Sequence, residues 1–207
     1  DVLVTSSLAP LWALLDQAAF AGYVVDTGED APINGLTRRD MAGIAAELAG
    51  RDPEPLPHFG GELFATTVQD WKNHRAIFDD LLDQASSGKG PAAGVLTEEH
   101  IFSIAFALIG RPVANAHGVI KRIWTSPRFN TAAPGDERLP LWHLPAEKRY
   151  GLADLYRALA GRGFPTAMPG DAFRVLAGRL CAVPTRSAGK LLRDGVRQLA
   201  AKLGLRT

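Results

Sequence analysis

The sequence predicts an α/β fold, and three observations carry that prediction. Short runs rich in β-branched and aromatic residues recur at 1–5 (DVLVT), 23–27 (YVVDT), 62–66 (ELFAT), 119–125 (VIKRIWT) and 139–144 (LPLWHL). Longer stretches between them repeat their apolar residues at steps of three and four, the helical spacing. Glycine and proline clusters punctuate the two kinds of segment, and no internal repeat is visible. Strands interleaved with helices at this rhythm indicate an α/β architecture.

Taken in order, the strand DVLVT runs through Thr5, Ser6 and Ser7 into a helix expected over 8–22, with Pro10 tolerated in its first turn. GEDAPING, 28–35, is a turn-rich loop. Thr37, with Asp40 three residues later, caps a helix whose stripe is Met41, Ile44, Ala45 and Leu48 and whose end is Gly50. RDPEPLPH holds three prolines and reads as a connector, and ELFAT follows the Gly60-Gly61 pair as a strand. Val68, Trp71, Arg75, Phe78, Leu82 and Ala85 share one face of a helix over 68–86. Thr97 caps a helix over 98–109 that stops at Gly110 and Pro112. After a long loop at 126–138, LPLWHL forms a short buried strand, and further helices follow around Leu155 and Leu176.

Composition narrows the class. The chain has 207 residues, 46% of them hydrophobic, and a net charge of +1, a balance that speaks against a nucleic-acid binder. One cysteine, Cys181, excludes an internal disulfide framework and a cysteine-rich zinc site, and fits a reducing, cytoplasmic compartment. No apolar run approaches the 18 or so residues of a spanning helix. DVLVT stands at the very start without an initiator methionine, so an upstream part of a larger fold is expected ahead of Asp1.

Three motifs bear on chemistry. In HFGGELFAT, the glycine pair lets backbone approach a ligand closely and Glu62 projects beside it; a tight turn with a solvated glutamate is the structural alternative. In LTEEHIFSIAFAL, Glu98 and Glu99 either complement the helix macrodipole or serve as general base and sugar-hydroxyl acceptors, and His100 adjoins them in an otherwise apolar segment. In LWHLPAEKRYG, His143 is either a hydrogen-bonded core histidine or a metal ligand, and Lys148 is either a solvated helix approach or a neutraliser of phosphate.

In this order, DVLVTSSLAPLW, FGGELFAT, LTEEHIFS and WHLPAEK resemble the later, acceptor-side half of a GT-A-type nucleotide-diphospho-sugar glycosyltransferase, over residues 1–160. The resemblance implies a Rossmann-like mixed sheet flanked by helices, a GT-A-like domain over 1–165 and a helical C-terminal extension over 166–207. It implies transfer of a sugar from a nucleoside diphosphate to an acceptor hydroxyl in polysaccharide or glycan synthesis, dependent on Mn or Mg. Asp1 would be the second aspartate of the family's Asp-x-Asp motif and, with His143, a metal ligand. Glu98 and Glu99 would be the catalytic carboxylates, while Gly60, Gly61, Glu62, His100 and Lys148 would bind substrate. Lys148 is followed here by Arg149 and Tyr150, unlike the Lys-Pro-Trp of the glycogenin-like branch.

From 186 to 206 there are six Lys or Arg against one Asp, and Leu192, Val196, Leu199 and Leu203 share a helical face. That face either packs on the domain or lies on an anionic membrane, where a lipid-linked acceptor would be found, giving a protein peripheral to the inner membrane face. Two other functions fit the same residues: a hydrolase using Glu62 with Glu98 or Glu99, and a non-catalytic sugar- or nucleotide-binding module.

Overall fold

The computed structural model describes residues 1–95, 97–126, 129–160 and 168–204. In chain order the elements begin β1 (Val2–Val4), α1 (Ala9–Leu15), β2 (Phe20–Val25), α2 (Arg38–Ala49), β3 (His58–Thr66) and α3 (Val68–Ser87). They continue with α4 (Glu98–Ile109), β4 (Val113–Asn115), β5 (Ile120–Arg122), β6 (Leu141–His143), α5 (Gly151–Ala160), α6 (Gly170–Cys181) and α7 (Ala188–Lys202). The chain divides into two units, one made of Asp1–Leu8 with Val119–Thr207 and the other of Ala9–Gly118. Each carries a small mixed sheet flanked by helices, so the class is α/β. The extension expected at 166–207 belongs by packing to the first unit; the boundary at 165 and Arg206 lie outside the described residues.

In the second unit the strand order is β3-β2-β4, with β2 antiparallel to β3 and parallel to β4. The helix expected over 8–22 ends at Leu15, and Phe20, Ala21 and Gly22 start the central strand instead. Pairing on both edges decides this, since Phe20 faces Thr66 on one side and Val113 on the other. Phe20, Met41, Leu81 and Ile104 are fully buried, with Phe59, Phe78 and Phe106 around them. Apolar burial on this scale supplies the main favourable term of folding. Gly22 is required here, because a Cβ would stand 2.8 Å from the Phe59 ring. The capping box at Thr37 and Asp40 and the left-handed C-cap glycines 50 and 110 bound α2 and α4 where the sequence signals them, Gly88 ends α3 in the same way, and Thr97 precedes α4 without a side-chain cap bond.

In the first unit β6 is central, antiparallel to β1 and parallel to β5. Trp142 points inward from β6 onto a core of Ile123, Leu144, Leu155, Ala177, Leu180 and Cys181. Helices α5 and α6 approach closely at Gly151, where a Cβ would lie 2.5 Å from the Leu180 carbonyl oxygen.

Helix α7 inverts the expected amphipathic arrangement. Leu192, Val196, Leu199 and Leu203 are 72%, 59%, 59% and 65% exposed, so the alternative in which this face packs on the domain does not hold. The opposite side is buried through charge. Lys190 Nζ donates to Glu147 Oε2 and to Asp194 Oδ2, each at 2.8 Å, and Arg197 forks onto both Asp154 oxygens at 2.8 Å. Two helix-facing carboxylates therefore decide which side of α7 turns inward.

Burial alone would raise the Asp154 carboxyl, but Arg197, Arg193 and Arg157 outweigh it and hold it below its ordinary value of 3.8. A depressed folded pKa means the stability it contributes is present above that unfolded value and is lost as pH falls through the folded one. The first unit is thus expected to weaken below pH 3.8, and Arg197→Gln to shrink this acid sensitivity in urea titrations run across that range.

Candidate functional site

In the first unit, the Asp1, His143 and Lys148 side chains meet. The Leu144 N–H donates to the Asp1 carbonyl at 2.8 Å and Val2 pairs with His143, which places Asp1 and His143 at the ends of adjacent antiparallel strands. Alternation along β6 sends Trp142 into the core and His143 to the other face. Pro145 then opens a 3-10 turn, Pro145–Glu147, that brings the next residue back over the strand end. His143 Nε2 lies 3.5 Å and Lys148 Nζ 3.3 Å from the same Asp1 carboxylate oxygen. Asp1 and His143 are mostly covered, whereas the Lys148 side chain is 65% exposed and can reach outward.

The turn is two-sided. While His143 and Lys148 face out, Glu147 points inward and is fully buried, accepting from Thr125 Oγ1, from the Gly151 N–H at 2.8 Å and from Lys190. Sequence reading does not single out Glu147 or Lys190. The available signal is a Lys at 190 and an Asp at 194, one helical turn apart on the side of α7 opposite its leucines.

As a divalent-cation site, Asp1 and His143 offer one carboxylate and one imidazole, and no group of three or more His, Cys, Asp or Glu side chains stands together among the described residues. Mg and Mn are commonly held by one or two protein carboxylates, with substrate phosphates and water completing the shell. Asp1 is a carboxylate of that kind; the His143 imidazole is a donor more usual for Zn, Cu or Ni, and Lys148 lies beside the same Asp1 oxygen.

In the second unit, Gly60 and Gly61 lie inside β3 and not in a turn ahead of it. Pairing with β2 jumps from Gly22–Phe64 to Tyr23–Gly60, so 61–63 bulge out of the ladder. The Glu62 carboxylate sits where a Cβ on Gly60 would be, and Glu98 Oε1 is 2.5 Å from the place a Gly61 Cβ would take. The glycine pair thus lets two carboxylates rest directly on the strand backbone.

Glu98 is exposed at the start of α4, while Glu99 and His100 are buried. Glu99 Oε1 accepts from Asn34 Nδ2, and its other oxygen is 3.8 Å from Nε2 of the buried His58. His100 Nε2 is 2.8 Å from the Ile33 carbonyl and must carry the hydrogen, because a carbonyl only accepts. Asn34 and Gly35, with φ of 50° and 99°, make the two-residue turn of the Ile33–Leu36 bridge. Ser103 Oγ accepts from the Phe59 N–H at 2.9 Å and donates to the Glu99 carbonyl at 2.8 Å. Glu99, His100 and Ser103 therefore tie α4 to the 33–36 turn and to β3, which leaves Glu98 as the solvent-facing member of the acidic pair. A cavity of about 430 Å³ in the same unit, lined by Ala42, Ala46, Arg51, Leu56, Phe59 and Phe106, includes none of these carboxylates.

Cys181 is not a nucleophile. It is fully buried, and burial first, with the Glu147 charge second, pushes its thiol up to about 12. Roughly one thiol in 10⁴ would be ionised at pH 8, so native protein is expected to resist a disulfide reagent that labels the denatured chain at once. Prompt labelling of the native form would contradict this burial.

Comparisons with protein-family models, with curated proteins and with solved structures returned no match to this chain.

Proposed function

We propose that the chain acts as a glycosyltransferase, moving a sugar from a nucleoside diphosphate to an acceptor hydroxyl with help from Mn or Mg. The observation that supports this reading most is the meeting of Asp1, His143 and Lys148 within 3.5 Å around one carboxylate oxygen. In that role Asp1 and His143 hold the cation, which when bound supplies Lewis-acid stabilisation to the leaving diphosphate. Lys148 swings from Asp1 to the phosphate oxygens and offsets the negative charge that grows as the glycosidic bond breaks.

Thermal-shift measurements test the donor side. UDP or GDP with Mn is expected to raise the melting temperature of wild-type protein, EDTA to abolish the rise, and Lys148→Ala to reduce it. No response to any nucleotide, with or without metal, would leave the proposal without its substrate. The nearness of Glu62 and Glu98 to the same glycine pair favours one second reading, a paired-carboxylate hydrolase. Glycoside cleavage that persists in EDTA and disappears in Glu98→Gln would select it.

A further inference from the structure

Helix α7 buries its charges and presents its leucines to solvent. We infer that this outer face is a docking surface for an anionic lipid bilayer. The helix cannot roll to hide Leu192, Val196, Leu199 and Leu203, because Lys190 and Arg197 hold its other side to Glu147 and Asp154. The exposed stripe amounts to about 500 Å² of apolar surface, at the upper end of what a monomer leaves uncovered. A helix of this kind, with a strong polar side, a continuous apolar side and modest mean hydropathy, matches the requirements of an interfacial helix.

Charge selects the occupant. Between 172 and 207 the sequence has eight Lys or Arg and a single acidic residue, Asp194, which is buried. Lys190 is buried on Glu147 and Asp194, Arg193 and Arg197 pair with Asp154, and Lys202 is exposed. At 100° per residue the exposed Lys202 borders the leucine stripe on one side and Arg193, 39% exposed and 3.6 Å from Asp154, on the other, and α7 itself exposes no carboxylate beside the stripe. Such a rim is complementary to anionic headgroups. A second copy of this chain meeting the same face about a two-fold axis would instead bring like charges together. No helix among the described residues is long and apolar enough to cross a membrane, so contact through α7 would be peripheral. The inference rests on α7 alone and stands apart from the transferase reading.

The test is co-sedimentation of the 207-residue chain with vesicles of phosphatidylcholine, alone or mixed with phosphatidylglycerol. Binding is expected only with phosphatidylglycerol present, and should weaken as salt is raised. The double variant Leu192→Ser with Leu199→Ser should partition roughly 30-fold less while melting like the wild type, because both side chains are already exposed. Three outcomes overturn the inference. They are no binding to the mixed vesicles, equal binding by the double variant, and a concentration-dependent dimer that the double variant abolishes.

Discussion

Lys190→Ala is expected to destabilise the first unit by about 3–5 kcal/mol, the cost of leaving a buried charge network without its cation. Lys190 and Glu147 side chains are each 1% exposed, and Asp194 shares the same ammonium at 2.8 Å. Removing the lysine strands two carboxylates in the interior, against a total stability of about 5–15 kcal/mol for a folded protein. Lys190→Met should be nearly as damaging, because shape is kept but the carboxylates remain unpaired. Neutralising all three positions together (Glu147→Gln, Lys190→Met, Asp194→Asn) should recover much of the loss. Urea titration reads each variant; a cost below about 1 kcal/mol for Lys190→Ala would mean that the network is solvated. The same substitution should loosen α7, whose inward side would then be held by Arg197 on Asp154.

Lys148→Ala and His143→Ala are each expected to lower the turnover of glycosyl transfer by roughly 10²–10³-fold, the usual effect of removing one group that stabilises developing charge. Lys148 is largely in solvent, so its variant should melt like the wild type. Arg149→Ala is the control: Arg149 is exposed on the neighbouring position and lies outside the cluster around Asp1. Wild-type turnover in both Lys148→Ala and His143→Ala would remove these residues from the mechanism. Loss of turnover in Arg149→Ala to the same extent would point to a general need for positive charge in place of the geometry at Asp1.

The dual character of 142–148 explains why this segment is so compressed. One short strand and one 3-10 turn place Trp142, Leu144 and Glu147 inside while sending His143 and Lys148 to Asp1. A substitution meant to test chemistry at Lys148 therefore sits one residue from a group whose loss would destabilise the unit, and Glu147 makes a poor catalytic control.

Much of the fold was legible in the sequence, because the signals that announce it are local. The cap at Thr37, the left-handed glycines at 50 and 110, and the apolar stripes of α2, α3 and α4 all lie within a few residues of what they control, although Thr97 makes no side-chain bond to α4. Asp1 and His143 were named together only through the resemblance to GT-A transferases; that their strands adjoin is a fact of the sheet. Other features depend on partners far along the chain. Phe20 reads as the tail of a helix until Thr66 and Val113 pair with it on both edges. Gly60 and Gly61 read as a turn until β2 and the Glu98 side chain show them to be a bulge. Periodicity told which residues of α7 share a face. It could not tell which face turns inward, because a helix wheel has no outside until something is packed against it. Glu147, 43 residues before Lys190 in the chain, supplies that direction, and only tertiary structure brings the two charges together.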